Sequence, residues 1–397
     1  MVKIEPFAVE QWMDEYENTP GVLNIAETCA APISIDDLTA ISADEAGPQP
    51  LRLSTKLSYG AIRGSSTLRE RVASLYERCA PESLPFNSVL ITQGAIVANF
   101  LLFYTLLGPG DHAICVYPAY QQLYGVPQSL GAEVTFWRLR KENGYVPDVS
   151  ELESLVKDHT KMIVLNNPNN PTGSTIPRAV LSSIVEFAKA RGIIILCDEV
   201  YSPLYHSLPT GVDMPPSILS FGYDKTISTG SMSKAWSLAG LRLGWIASRD
   251  EGIIEAAANA RDYTTIAVSQ LDDQVASYAL SSSVRPALSQ RNLGLARTNL
   301  DLLDKFVIKH HAICKWTKPT AGTTAFVQFT HEGRPVEDVA FCLSALRETK
   351  VMFLPGSKCF GHNEDFKGFV RIGYVCETEV LREALRALGE FVDGRLF

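Results

Sequence analysis

Apolar and polar positions fall along this chain in blocks of two kinds. Short unbroken apolar runs bounded by turn residues read as buried strands. They are Val89-Leu90-Ile91, His112–Val116, Met162–Leu165 and Ile193-Ile194-Ile195-Leu196-Cys197. Between them, longer segments carry apolar residues three and four apart and read as helices: Thr67–Cys79, Val97–Leu107 and Arg178–Arg191. Thr226–Gly230 continues the pattern, Gly244–Ala247 is a return strand, and helices follow at Gly252–Arg261, Leu271–Leu280 and Pro286–Lys309. Strands alternating with helices predict a mostly parallel sheet covered on both faces. Phe7, Val9, Trp12, Met13 and Tyr16 give residues 7–19 one apolar face, and Pro20-Gly21 ends that helix. Beyond the long helix the pattern is mixed. Strands are predicted at Gly322–Phe329, Val351–Leu354 and Phe369–Tyr374, with helices at Val336–Thr349 and Glu377–Phe391.

Composition narrows the class. The 397 residues suffice for two to three domains, and 46% apolar content permits a large core. A net charge of -8 without a basic cluster argues against nucleic acid as a partner. No apolar run reaches membrane-spanning length, and Met1-Val2-Lys3-Ile4-Glu5-Pro6 lacks a signal-peptide core. A cytoplasmic protein is expected. Eight cysteines stand at 29, 79, 115, 197, 314, 342, 359 and 376 without C-x-x-C spacing, so neither a zinc site nor a disulfide framework is expected. Cys115 and Cys197 sit within strand-like runs and read as buried thiols.

The chemistry concentrates in Ser231-Met232-Ser233-Lys234 and the Gly-rich run through Arg242 to Gly244-Trp245. A lysine among apolar neighbours and near a cation is expected to lose its proton more readily than one in water. Its neutral amine then attacks carbonyls and forms a Schiff base. Ser231, Ser233 and Arg242 supply hydroxyls and a fork of donors suited to a phosphate. Amine and phosphate clamp together describe a seat for pyridoxal 5'-phosphate (PLP). The turn at Gly94-Ala95-Ile96, between strand and helix, offers free backbone amides to the same phosphate. Asp198 ends the Ile-rich strand and would face the ligand crevice of an open α/β sheet.

These motifs stand in the order of a known family. From about residue 20 onward the chain resembles the fold type I PLP enzymes of the class I/II aminotransferase family. Tyr59-Gly60-Ala61-Ile62-Arg63-Gly64, Asn167-Pro168-Asn169-Asn170-Pro171-Thr172-Gly173, Asp198-Glu199-Val200-Tyr201, Ser231-Met232-Ser233-Lys234 and Phe369-Val370-Arg371-Ile372 carry the likeness. The resemblance implies an aspartate-aminotransferase-like α/β large domain with a mostly parallel seven-stranded sheet, plus a smaller α/β domain. The expected division is 1–45 for an N-terminal arm and part of the small domain, 46–285 for the large domain and 286–397 for the small one.

It also implies roles. Lys234 anchors PLP and Asp198 pairs with the pyridinium nitrogen. Asn170 and Tyr201 donate to the phenolic oxygen, and Tyr120, in Tyr117-Pro118-Ala119-Tyr120, stacks on the ring. Ser231, Ser233, Arg242 and the Gly94, Ala95 and Ile96 amides take the phosphate, Ile96 standing where relatives have a polar residue. Tyr59 reaches the phosphate of a neighbouring subunit, which implies a homodimer with shared active sites. Arg371 clamps the substrate α-carboxylate. One departure stands out: Glu27-Thr28-Cys29 replaces the family's Gly-x-Pro, and Glu27 there would favour a cationic side chain. Finer stretches such as Pro118-Ala119-Tyr120-Gln121-Gln122-Leu123 and Arg261-Asp262-Tyr263-Thr264-Thr265 resemble capreomycidine synthase, which cyclises a hydroxylated arginine, and PLP-dependent arginine oxidases. Two activities are therefore expected to compete: cyclase- or oxidase-type chemistry on a basic amino acid, and ordinary transamination. A PLP-binding regulator fused to a DNA-binding module is the non-enzyme alternative. The acidic charge and the roughly 20 residues before the fold argue against it.

Overall fold

The computed structural model describes residues 4–44, 47, 49–77 and 82–395. Met1–Lys3, the expected boundary at 45 and 46 and the expected helix end at Cys79 lie outside them. Helix α1 (Ala8–Tyr16) buries Val9, Trp12 and Met13. Strand β1 (Leu23–Asn24) follows the Pro20-Gly21 turn and leads into the segment that carries Glu27.

Seven strands form the central sheet: β2 (Val89–Thr92), β3 (His112–Tyr117), β4 (Glu133–Arg138), β5 (Thr160–Asn166), β6 (Ile194–Asp198), β7 (Thr226–Ser231) and β8 (Gly244–Ser248). Their order is β2-β8-β7-β6-β5-β3-β4, and β8 alone runs antiparallel to its neighbours. The fold is the aspartate-aminotransferase-like α/β architecture that the resemblance implied. β2, β3, β7 and β8 are buried along their whole length, which is why they read as continuous apolar or small-residue runs. Helix α2 (Gly94–Leu106) packs against β7 and β8, and α3 (Arg178–Arg191) closes on Gly192 in the left-handed region at φ 68°. Asn166, Asp198 and Ser231 end β5, β6 and β7, so polar side chains gather at the carboxyl edge of the sheet. Cys115 and Cys197 are buried in β3 and β6 as expected.

The long helix α4 (Arg285–Lys309) leads to the smaller sheets. Strands β9 (Cys314–Trp316), β10 (Thr324–His331), β11 (Arg334–Pro335), β13 (Leu354–Pro355) and β14 (Phe369–Gly373) make one sheet, while β12 (Val351–Met352) pairs in parallel with β1. Helices α5 (Asp338–Thr349) and α6 (Thr378–Arg395) cover them. The β1–β12 pairing brings the N-terminal segment beside the C-terminal strands.

Three elements differ from expectation. The helix at Ser66 stops at Ala73 and tightens to a 3-10 turn, Ser74–Tyr76. There the Tyr76 hydroxyl meets Ser228 Oγ at 3.0 Å and accepts from Trp245 Nε1 at 2.8 Å. Tertiary anchoring ends that helix. The apolar run Val351–Leu354 splits in two because Met352 pairs with β1 and Leu354 with β14, with Phe353 buried between them. The strand begun at Gly322 starts instead at Thr324, since Gly322 adopts φ 70°.

Gly244 decides how closely α2 approaches the sheet. It pairs with Thr92 and Ser231, and a Cβ there would lie 2.5 Å from the Gly94 carbonyl carbon and 2.7 Å from Gly230 O. Backbone cannot yield as a flexible side chain can. Gly244→Ala is expected to destabilise the fold by about 3 kcal/mol, at the upper end of ordinary overpacking. Urea denaturation of the variant checks it; a midpoint equal to wild type would show that the turn has room.

Candidate active site

The carboxyl edge of the sheet opens into a cavity of about 560 Å³, closed on its outer side by α1 and the segment after β1. Of the residues singled out from sequence, Glu27, Gly94, Ala95, Ile96, Tyr120, Asn170, Asp198, Tyr201, Ser231, Ser233, Lys234, Arg242 and Arg371 all line it. Tyr59 does not; its side chain is 86% exposed.

One end of the cavity is built from backbone and hydroxyls. α2 begins at Gly94 with no side-chain cap on its first amides. Ser231 Oγ donates to Ser233 Oγ at 2.8 Å and accepts from the Ser233 amide at 3.0 Å. Arg242 closes this end from a left-handed conformation at φ 48°, a strained setting for a residue with a side chain. Gly94 makes room for it: a Cβ there would sit 3.3 Å from Arg242 Nη2.

Asp198 marks the other end. It is 4% exposed, and burial pushes its carboxyl up to about 6, against the pull of the Asn99 amide and the Val200 N–H. Asn99 Nδ2 donates to Asp198 Oδ2 at 3.0 Å, and the Val200 amide to Oδ1 at 3.2 Å.

Lys234 lies between the two ends, and here the structure corrects the sequence reading. Burial alone would strip its proton most strongly, but Cys29, Tyr201 and Glu27 outweigh it and the net direction is upward. Burial pushes the Cys29 thiol up to about 11, so near neutral pH Glu27 is the anion of these three. Glu27 Oε1 lies 3.6 Å from Lys234 Nζ. Burial also works against the Glu27 carboxylate, but Lys234, the Thr28 amide, Cys29 and Arg371 hold it down to about 2. Lys234 Nζ donates to Thr28 Oγ1 at 2.7 Å. The lysine of this free site is thus a paired ammonium.

Glu27 is held by the same cluster. Its Oε1 accepts the backbone amides of Thr28 at 2.6 Å and Cys29 at 3.1 Å, which binds its carboxylate to its own turn and to Lys234. Gly373 permits this turn, since a Cβ there would collide with the Glu27 carbonyl oxygen.

Arg371 stands on β14 at 3% exposure. Its Nη2 donates to Ala26 O at 2.7 Å and its Nη1 to Asn170 Oδ1 at 3.3 Å, while its Nε is buried without a partner. Burial lowers its pKa. Because Asn170 Oδ1 faces the arginine, the Asn170 amide nitrogen is left to donate elsewhere. Tyr201 is buried, and burial raises its hydroxyl against Lys234, Arg371 and a hydrogen bond with Thr28. Tyr120 donates to Glu10 Oε1 at 2.7 Å and packs its ring on Phe7, centroids 4.8 Å apart.

The sequence profile of class I and II aminotransferases matches residues 35–388. The chain belongs to that family. This aminotransferase-family protein is 30% identical to capreomycidine synthase of Streptomyces vinaceus over 83% of its length and 80% of the relative's. It is 30% identical to an aspartate aminotransferase of Thermotoga maritima, over 90% and 92%. An arginine–pyruvate transaminase of Pseudomonas aeruginosa matches at 28% over 83% and 81%. Among solved structures, a PLP-dependent aminotransferase from Streptococcus suis superposes with a TM-score of 0.89 at 36% identity, covering 100% of this chain and 99% of that one. The PLP-dependent cyclase OrfR gives 0.84 at 25%, covering 98% of each.

This aminotransferase-family chain is a PLP-dependent enzyme, and its cavity fits the cofactor at three points. The uncapped start of α2 beside Ser231, Ser233 and Arg242 matches a phosphate. Asp198, a buried carboxyl with no salt-bridge partner among the described residues, matches a ring nitrogen that carries a proton. An amine between them, Lys234, matches an aldehyde.

Sequence reading missed other residues of the cavity. Asn99 was legible as the polar residue inside the apolar run Val97–Leu102. Glu10 and Asp14 on α1 and Glu17 at its C-cap recur at helical spacing and line the cavity. Thr28 and Gln122 carried no signal of their own.

Glu27→Gln removes the anion beside Lys234. A half-exposed ion pair is worth at most about 1 kcal/mol, so the pH at which Lys234 becomes nucleophilic is expected to fall by up to about one unit. The rate of Lys234 modification by an amine-directed reagent, followed against pH in cofactor-free protein, checks this. An unmoved or upward-shifted profile would contradict the pairing.

Proposed function

We propose that this enzyme acts at the α-carbon of a basic, arginine-like L-amino acid, with cyclase- or oxidase-type chemistry, as a cytoplasmic homodimer. The observation that carries the substrate class is the outer wall of the cavity. Glu10, Asp14, Glu17 and Glu27 line its exposed side. Of its cations, Arg371 is buried, Lys234 is half-buried, and Arg242 is exposed at the end beside Gly94. Once Arg371 is taken up by the α-carboxylate and Arg242 by the phosphate, a distal carboxylate would meet the like charge of these four acidic residues, and a distal cation would be attracted. Exposed pairs are worth about 0–1 kcal/mol each, and about 1.4 kcal/mol in total already gives tenfold selectivity. Likeness to capreomycidine synthase and to an arginine–pyruvate transaminase supports the same class.

Bound PLP supplies an aldehyde that links to amines and a ring that withdraws electrons from the α-carbon. The chain's residues do the rest. Lys234 Nζ would be the amine that holds the cofactor. Freed as a neutral amine, it takes the α-proton. Asp198, as a carboxylate, keeps a proton on the ring nitrogen. Asn170 Nδ2 and the Tyr201 hydroxyl donate to the phenolic oxygen. Gly94, Ala95 and Ile96 amides, Ser231, Ser233 and Arg242 would bind the phosphate, and Tyr120 would hold the ring. Glu27, when Lys234 no longer carries a charge, is released to attract a substrate cation.

Dimerisation is supported by where Tyr59 stands. It lies outside its own cavity and is exposed, as are Leu53, Leu57, Ile62, Tyr263 and Ile266. Ordinary transamination is the second reading, favoured by the likeness to an aspartate aminotransferase over 90% of the chain.

Titration of the visible absorbance of the loaded enzyme with arginine, lysine, aspartate and phenylalanine tests the substrate class. Arginine is expected to perturb it at concentrations at least tenfold below aspartate. Turnover without a 2-oxo acid acceptor would select cyclase or oxidase chemistry, the latter with oxygen consumed. Tighter response to aspartate than to arginine would overturn the reading.

A further inference from the structure

Asn99 is buried to 1% exposure in the apolar body of α2. An apolar residue would pack at that position as Ala98 and Leu102 do, and a buried amide costs stability unless its groups are paired. Asn99 is paired at both ends. Thr229 Oγ1 donates to its Oδ1 at 2.8 Å, and its Nδ2 donates to Asp198 Oδ2 at 3.0 Å, with Gln122 Oε1 a longer 3.4 Å away. Thr229 is also the residue that pairs with Asp198 across β6 and β7. The hydroxyl can donate only to the amide oxygen, so it decides that the amide nitrogen faces the carboxylate. Val200 grips the second carboxylate oxygen, and both Asn99 and Asp198 line the cavity.

We infer that Asn99, oriented by Thr229, is a positioning residue that fixes Asp198 as an oriented carboxylate toward the cofactor's ring nitrogen. The inference rests on the role proposed above for Asp198. Its physical basis is a competition. Burial drives Asp198 toward its neutral form, and the Asn99 N–H is the leading influence against it. A neutral carboxyl cannot hold a proton on a ring nitrogen by charge. A carboxylate with one free rotation would also spend less time aimed at it. Gln122 extends the link: its Nε2 donates to Ile96 O at 2.5 Å, in the first turn of α2 where the phosphate amides stand. One hydrogen-bonded chain therefore joins the two ends of the cofactor seat.

A double-mutant cycle tests this. The variants are Asn99→Leu, Asp198→Asn, their combination, and Thr229→Val, which frees the amide while leaving it in place. The readouts are the dissociation constant of PLP by equilibrium titration and kcat and KM for the best amino acid. Asn99→Leu is expected to weaken PLP about tenfold and lower kcat about tenfold, with KM within about twofold, the scale of one hydrogen bond to a charged group. Thr229→Val is expected to shift both in the same direction by less. In the Asp198→Asn background, Asn99→Leu is expected to add less than about twofold. Equal losses from Asn99→Leu in both backgrounds would overturn the inference, as would wild-type binding and kcat in Asn99→Leu. Should that variant not fold, a silent Thr229→Val overturns it instead. Wild-type behaviour of Asp198→Asn would overturn the role of Asp198 itself, and this inference with it.

Discussion

Asp198 is carried into the protein on the last residue of a central strand, and among the described residues no ion pair meets it. A carboxyl in that position is costly as a charge. Two hydrogen bonds, from Asn99 and Val200, offset part of the cost, and its pKa remains high at about 6. The site is organised so that something positively charged completes it. A protonated ring nitrogen of PLP would be such a group. At the opposite side the same logic runs with reversed sign. Lys234 waits as an ammonium against Glu27 and Thr28. The site thus sets an acid partly starved of charge against an amine supplied with one.

Both groups are placed by backbone packing. Asp198 and Thr229 are register partners on adjacent strands, and Lys234 follows β7 directly. Glycines set the close approaches. Gly244 lets the start of α2 rest on the sheet edge, Gly94 makes room for Arg242, and Gly373 lets the Glu27 turn sit against β14. The strain of Arg242 at φ 48° is borne by a rigid surrounding of β7, β8 and α2. Each is a site where a side chain would be felt first in the geometry of the cavity.

Much of this was readable in the sequence. Strands buried on both faces announce themselves as apolar runs, so β2, β3, β5 and β6 were legible, and α3 was legible to the residue because Gly192 ends it. Edge strand β4 was not, since Glu133–Arg138 mixes charged, polar and aromatic residues. The helix Gln122–Ser129 was hidden by Pro127 inside it. The predicted site residues other than Tyr59 fell into one cavity. The charge state of Lys234 was not legible. Burial and a nearby cation set the expectation for it, whereas its counter-ion Glu27 lies near the other end of the chain and shares no motif with it. Only the folded chain, with the turn after β1 laid across the mouth of the cavity, brings the two together.

The central claim is that Lys234 is the residue that holds the cofactor. Borohydride reduction of the PLP-loaded enzyme, followed by proteolysis and mass spectrometry, tests it directly. A phosphopyridoxyl label is expected on the peptide that contains Lys234, and it is expected to be lost in Lys234→Ala. A label on another lysine, or one retained in that variant, would contradict it.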